Sequence, residues 1–247
     1  MKLIIIQARM GSKRLPGKVL RKIDKRPLLA YQLERVKLAE NYDNLVVATT
    51  ELEKDKLIVE FCKKNKVDFF LGDENNVLKR FYDCALFYNA KTIIRLTADC
   101  PLVDSKVIDK VIDLYEENNV DYAANTIPPN TRKWPDGSDV EVFSFKVLKE
   151  AFEKVTSLPD KEHVTFYIWK NSKYKTIQLD NNVNWSKFRY TVDYEEDFLL
   201  VKKIFKEIKQ KKIFGTTAEI VNLIKQKFDV NIKKKELEFG YGWKQKL

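Results

Sequence analysis

KLIIIQARMGSKRLPGK, Lys2 to Lys18, begins with an apolar run and breaks at Gln7 into a loop that carries Arg9, Lys13, Arg14 and Lys18, with Gly11–Ser12 and Pro16–Gly17 between them. A short continuous apolar run reads as a strand buried on both faces. Gly11 and Ser12 allow a backbone to approach an anion closely, and the basic side chains can neutralise it. The pattern points to a polyphosphate. Neither G-x-x-x-x-G-K-[ST] nor G-x-G-x-x-G is present, so P-loop hydrolysis and dinucleotide binding both fall.

Outward from this loop the hydrophobic period alternates. RPLLAYQLERVKLAE reads as a helix, NLVVATT as a strand, EKDKLIVEFCKKN as a helix with Leu57, Ile58, Phe61 and Cys62 on one face, and VDFFLG as a strand. NVLKRFYDCALFYNA is then helical with Phe81, Tyr82 and Phe87 in the core, TIIRLTADCP is a strand with a loop, and DSKVIDKVIDLYEENN is a helix capped by Asp104. This order predicts an α/β fold with a mainly parallel sheet covered on both faces. Beyond Val120, NTIPPNTRKWPDGSD is a Pro-rich loop too long for a simple connection. The elements EVFSF, KVLKEAFEKV, EHVTFYIWKN, KYKTIQL, FRYTVD, EEDFLLVKKIFKEIKQ and TAEIVNLIKQKF follow it. In open α/β sheets ligands lie beyond the carboxyl ends of the strands, which singles out Gln7 to Lys18, Ala48 to Thr50, Thr97 to Pro101 and Asp193.

At 247 residues and 44% hydrophobic, the chain can bury a sizeable core. It lacks an apolar run of membrane-spanning length, and MKLIIIQAR is too short for a signal peptide, so a cytoplasmic protein is expected. Cys62, Cys84 and Cys100 are expected to be reduced, buried thiols. The net charge of +10 is uneven, because Val201 to Leu247 holds 13 Lys against 5 acidic residues. Those lysines alternate with Ile204, Phe205 and Ile208 as on the solvated face of an amphipathic helix, and no nucleic-acid motif accompanies them. Nucleic acid is therefore not an expected partner.

IIIQARMGSKRLPGKVL resembles the N-terminal signature of the cytidylyltransferases that activate sugar acids, and it is most similar to the spore coat polysaccharide biosynthesis branch of that family. NLVVATT, GDENNVLKRFYD, IIRLTADCPLVD, PDGSDVEVFS, KEHVTFYI and RYTVDYEEDF match in the same order. Sugar-1-phosphate nucleotidyltransferases place their basic residue farther beyond the arginine, whereas Arg14 and Lys18 are four apart here. The resemblance implies a nucleotide-diphospho-sugar transferase-like, Rossmann-like three-layer sandwich with a mixed, mainly parallel sheet. It also implies one domain over 1–247, with a nucleotide-binding half at 1–125, an acceptor-binding half at 126–200 and basic helices at 201–247.

The same resemblance implies that CTP is held by Gln7, Ala8, Arg9, Gly11, Ser12, Arg14, Lys18, Thr49, Thr50, Asn75, Arg80 and Thr97. Lys13 is expected to be solvated. Arg14, Lys18 and Asp99 are the expected catalytic groups, and Asp99 with Asp193 the expected Mg2+ ligands. Mg2+ favours one or two carboxylates supplemented by phosphate oxygens and water, and both aspartates follow expected strands. Asp136, Asp139, Lys161, Glu162 and His163 are the expected contacts to a small-molecule acceptor, with Trp134 in the same loop. Lys161 stands where the family usually has Arg, so a sugar acid and a phosphorylated acceptor both stay open, and with them CMP- and CDP-linked products.

The chemistry expected is cytidylyl transfer from CTP with release of pyrophosphate, in a surface-polysaccharide pathway. A homodimer is one arrangement the family uses. A glycosyltransferase on the same fold would need a D-x-D motif at a strand end, and none is evident. A non-catalytic nucleotide-binding protein is the other alternative, and it would be expected to have lost one of the two aspartates.

Overall fold

Leu3, Ile4, Ile5 and Ile6 have no exposed surface, because β1 (Lys2–Gln7) lies between two parallel neighbours in a sheet covered on both faces. The computed structural model describes residues 1–228. After β1 the chain forms a small hairpin, β2 (Lys22–Ile23) and β3 (Arg26–Pro27), and enters α1 (Leu28–Val36). The alternation continues through β4 (Asn44–Thr50), α2 (Lys56–Lys64), β5 (Asp68–Gly72), α3 (Val77–Phe87), β6 (Thr92–Thr97) and α4 (Ser105–Glu117). There follow β7 (Tyr122–Ala124), β8 (Glu141–Ser144), α5 (Phe145–Lys154), the short α6 (Leu158–His163) and α7 (Phe166–Trp169), and β9 (Thr176–Gln178). The described chain closes with α8 (Glu195–Lys211) and α9 (Thr217–Lys227).

Among the described residues the main sheet has seven strands in the order β5-β4-β1-β6-β8-β7-β9. Strand β8 runs antiparallel to both its neighbours, and the other pairings are parallel. The sheet is thus mixed and mainly parallel, as expected. It continues across residue 125, so both expected halves contribute strands to it.

Side chains alternate across the strands and build two cores. Ile4 and Ile6 pack with Leu33, Ile58 and Ile108 from α1, α2 and α4. Leu3 and Ile5 face the other way, towards Phe81, Leu148 and Ile168 from α3, α5 and α7. A third cluster joins Val201 and Ile204 of α8 and Ile220 and Ile224 of α9 to Leu15, Leu28, Phe188, Tyr190 and Val192. These helices therefore brace the basic loop. Asp104 caps α4 as expected, accepting from Lys106 N at 3.1 Å, and its other oxygen takes Thr217 N at 2.8 Å, tying α9 to the same point.

Several local expectations need correction. Ile58 and Cys62, four apart, are buried on α2, but Leu57 is 52% exposed and Phe61 is only half-buried, because their stripe sits one residue round the helix at the rim. Phe81 is buried, whereas Phe87 ends α3 at 69% exposed. EHVTFYIWKN is interrupted at Val164, whose φ of 61° separates α6 from α7. FRYTVD forms only an isolated bridge, Arg189 to Asp136, in place of a strand. All three cysteines are free and buried. Of the expected basic C-terminal region, residues 229–247 lie outside the described residues.

Candidate active site

The carboxyl ends of β1 and β6 lie side by side, Gln7 opposite Thr97, and the chain leaving each lines a cleft of about 520 Å³. The basic loop is held over one end of it. Met10 N donates to Asp55 Oδ1 at 2.6 Å, Thr50 Oγ1 binds the other oxygen of that carboxylate, and Ser12 Oγ accepts from Leu15 N at 3.3 Å. Gly17 turns the chain with φ at 68°, a conformation that glycine adopts at no steric cost, and Lys18 then starts a short helical turn aimed inward.

Lys18 Nζ reaches three oxygens: Asp99 Oδ2 at 2.9 Å, Asp193 Oδ1 at 2.9 Å and Val192 O at 2.7 Å. Arg14 Nη2 meets the same Asp193 Oδ1 at 2.6 Å, and Arg189 Nη2 meets Asp193 Oδ2 at 3.1 Å. Burial disfavours the Lys18 ammonium, but Asp99 and Asp193 outweigh it and raise its pKa above the ordinary lysine value. Burial also opposes the Asp193 carboxylate, yet Lys18, Arg14 and Arg189 hold it well below the usual range. Asp99 is held low in the same way, burial being overcome by Lys18. Two ionised carboxylates therefore converge on one cation.

Asp193 arrives there without a preceding strand. Val192 N donates to Asp99 O at 2.8 Å, Tyr190 N to Asp136 O at 2.8 Å and Asp136 N to Phe188 O at 3.1 Å. The extended segment is thus pinned between the Pro-rich loop and the end of β6. Gly137, with φ at 105°, lies where an added Cβ would come 2.5 Å from Thr191 N, so the loop can close on the segment only with glycine at this position.

The far end of the cleft is built from the Pro-rich loop, β8 and the α6–α7 region. Arg189 binds Asp136, and it also donates to Asp197 Oδ2 at 3.0 Å. Burial pushes the Asp136 carboxyl up to about 7 against the pull of Arg189. Asp139 accepts from Thr126 Oγ1 at 2.7 Å and Gly137 N at 2.8 Å. The His163 ring stacks on Phe166 with centroids 4.5 Å apart. Burial, then Asp99 and Asp139, push the Cys100 thiol well up, which keeps it from serving as a thiolate nucleophile.

Gln7, Ala8, Arg9, Ser12, Arg14, Lys18, Arg80, Thr97, Asp99, Asp136, Asp139, Glu162, His163 and Asp193 all line this cleft, and so does Lys13. Gly11, Thr49, Thr50, Asn75 and Lys161 are outside its lining. Thr49 and Thr50 are buried behind the loop and Asn75 is exposed. Arg80 is buried and donates to Asp73 O at 2.7 Å, with burial and the neighbouring Arg9 lowering its pKa to about 10. Sequence reasoning missed Arg189, Asp55, Arg95 and Glu141. For two of them the signal was present, in that Arg95 in TIIRLT and Glu141 in VEVF are charges inside apolar strands.

Asp99 Oδ2 and Asp193 Oδ1 fit a divalent cation, since both already face one positive charge. Among the described residues no group of three or more acidic, His or Cys side chains is placed to cage a metal. Two carboxylates leave positions for phosphate oxygens and water, which suits Mg2+.

The sequence profile described as cytidylyltransferase matches residues 3–227. An uncharacterized protein of Methanocaldococcus jannaschii is 39% identical over 210 residues, 83% of this chain and 84% of that one. The spore coat polysaccharide biosynthesis protein SpsF of Bacillus subtilis is 33% identical over 236 residues, covering 92% and 95% of the two chains. The solved structure of a cytidylyltransferase from Leptospira borgpetersenii superposes with a TM-score of 0.83 at 34% identity, covering 91% of this chain and 93% of that one.

Proposed function

Because the chain belongs to the cytidylyltransferase family, we propose that it transfers CMP from CTP to a sugar acid or a phosphorylated small acceptor, with release of pyrophosphate, for surface polysaccharide synthesis. The observation that carries this reading is the meeting of Asp99 and Asp193 on one cation, Lys18, beneath a loop that adds Arg9 and Arg14. The polysaccharide role draws support from the similarity to SpsF. A cytoplasmic enzyme, working where CTP is made, belongs to the same reading. Among the described residues no helix is long and apolar enough to cross a membrane.

Arg9, Arg14 and Lys18 bind the triphosphate and stabilise the charge that develops on the departing pyrophosphate. Ser12 keeps the loop turned so that these groups face one point. Asp99 and Asp193 would hold Mg2+, which neutralises phosphate charge and lowers the pKa of an attacking hydroxyl when bound. With Asp193 engaged by the metal, Lys18 and Arg14, which meet its carboxylate in this structure, would be free to donate to phosphate oxygens. The acceptor oxygen attacks the α-phosphorus in line, and no protein nucleophile is needed. That agrees with a Cys100 thiol held protonated.

The test is pyrophosphate release with CTP, ATP, GTP and UTP, each with Mg2+ and a panel of sugar acids and phosphorylated small acceptors. Acceptor-dependent release with CTP alone is the expected result. Equal release with all four nucleotides would remove the cytidylyl assignment.

A further inference from the structure

An acidic acceptor needs a cationic partner in the far half of the cleft, and Lys161, the residue expected to provide it, is outside the lining. Arg189 is also unavailable, being shared among Asp136, Asp193 and Asp197. Among the described residues a further cation lining the cleft beside this half is Arg95, which rises from β6 together with Glu141 of β8, the residue opposite it in the sheet.

The two side chains form an ion pair, with exposures of 11% and 8%. Arg95 Nη1 binds Glu141 Oε1, the Tyr122 hydroxyl lies beside the Glu141 carboxylate, and Arg95 Nε is shut from solvent without a hydrogen-bond partner. A pair kept only for stability would be expected to have its polar edges satisfied, since burying charge costs more than an apolar pair of the same shape. With Nη1 committed and Nε enclosed, the Nη2 edge is what the guanidinium offers to the cleft. The Phe81 ring lies under the same guanidinium, its centroid 5.8 Å from the Arg95 guanidinium carbon.

We propose that Arg95 binds the oxyanion of the acceptor, with Glu141 as the positioning residue that holds the guanidinium edge towards the cleft. The inference rests on the cytidylyl-transfer reading and adds to it the group that recognises the acceptor's charge. The oxyanion has two possible sources, the carboxylate of a sugar acid and the phosphate of a phosphorylated acceptor.

The experiment is saturation-transfer NMR on the full chain with Mg2+ and a non-hydrolysable α,β-methylene CTP. The probes are 3-deoxy-manno-octulosonate, N-acetylneuraminate, glycerol 3-phosphate and the neutral polyol mannitol. Wild type is expected to bind a carboxylate or a phosphate probe, the arm that responds naming the source, and to ignore mannitol. Arg95→Lys is expected to keep part of the binding if the source is phosphate and little if it is carboxylate, because lysine lacks the planar fork. The double variant Arg95→Met/Glu141→Met removes the pair without stranding either charge. It should weaken probe binding at least tenfold while its thermal shift with CTP and Mg2+ stays that of wild type. Unchanged probe binding in the double variant, loss of its CTP shift, binding of mannitol as strong as the acids, or no binding of any acidic probe to wild type would each overturn the assignment. Failure of the cytidylyl reading itself would show separately, as the absence of a CTP-specific shift in wild type.

Discussion

The two ends of the cleft are made in opposite ways. The end to which we assign the triphosphate comes largely from one stretch, Arg9 to Lys18, whose four cations outnumber the two carboxylates, Asp99 and Asp193, that line the cleft beside them. The end assigned to the acceptor is assembled from β6, β8, the Pro-rich loop, α6–α7 and the segment before Asp193, and in it the two arginines are each held by a carboxylate: Arg95 by Glu141, and Arg189 by Asp197. A site for a common polyphosphate can be local and positively charged. A site for a particular acceptor needs shape and fixed hydrogen bonds, and distant segments have to cooperate to build it.

The contrast is tested most severely where the ends meet. Asp99→Asn and Asp193→Asn are each expected to lower turnover about 100- to 1,000-fold with the fold retained, since an amide keeps the shape and loses the charge that a cation needs. Steady-state pyrophosphate release alongside circular dichroism measures both. Near-normal turnover in either variant would make that aspartate a structural partner of Lys18.

The acceptor end should be the more fragile in folding. Gly137→Ala puts a Cβ against the Thr191 amide and is expected to cost about 3 kcal/mol or more in urea denaturation. A cost near zero would mean that the loop does not close on the 188–193 segment as described. Lys18→Met, at the phosphate end, leaves Asp99 without its cation beside an Asp193 that keeps Arg14 and Arg189. We expect a loss of about 2 kcal/mol, below the usual range for breaking a buried pair because Asp99 is partly open to water. Mg2+ should restore more melting temperature to this variant than it adds to wild type, and equal gains would contradict the shared position of metal and ammonium.

The smallest effect is in pH dependence, where the two ends should differ in sign. Asp136, raised to about 7 by burial, stays protonated in the fold while an unfolded aspartate ionises near ~3.9. Its contribution therefore falls as pH rises from about 4 to about 7. Asp193 is held low by its three cations, so its contribution is complete above about 4 and is lost as acid takes the pH below that value. Asp136→Asn should flatten the neutral-side slope of stability, and Asp193→Asn the acid-side slope. Reversed assignments would show that the ion pair with Arg189, and not burial, governs Asp136.

Much of the fold was readable because its signals are local. The alternation of LIII, NLVVATT and TIIRLT with amphipathic helices describes a parallel sheet before any contact is known, and Asp104 announces its helix by capping chemistry. The loop from Arg9 to Lys18 was readable for the same reason. FRYTVD misled because apolar alternation does not reveal that its partners are a loop and a strand end, so it bridges where a strand was expected. Lys161 was expected in the acceptor pocket because of its neighbours Glu162 and His163, but the helix α6 that carries all three presents only the latter two to the cleft. Thr50, expected as a nucleotide contact at a strand end, binds through its hydroxyl to Asp55, which steadies the loop at Met10. Arg95 and Glu141 sit 46 positions apart and become a pair only through the antiparallel register of β6 and β8.

The central claim, that the α-phosphoryl unit of CTP moves to an acceptor, is tested most directly by labelling. The protein is incubated with Mg2+ and its acceptor and with CTP labelled at either the α- or the γ-phosphorus, and the products are separated. The account predicts that the α-label appears in the acceptor-linked product and the γ-label only in pyrophosphate. Transfer of the γ-label to the acceptor, or release of both labels without an acceptor-linked product, would contradict it.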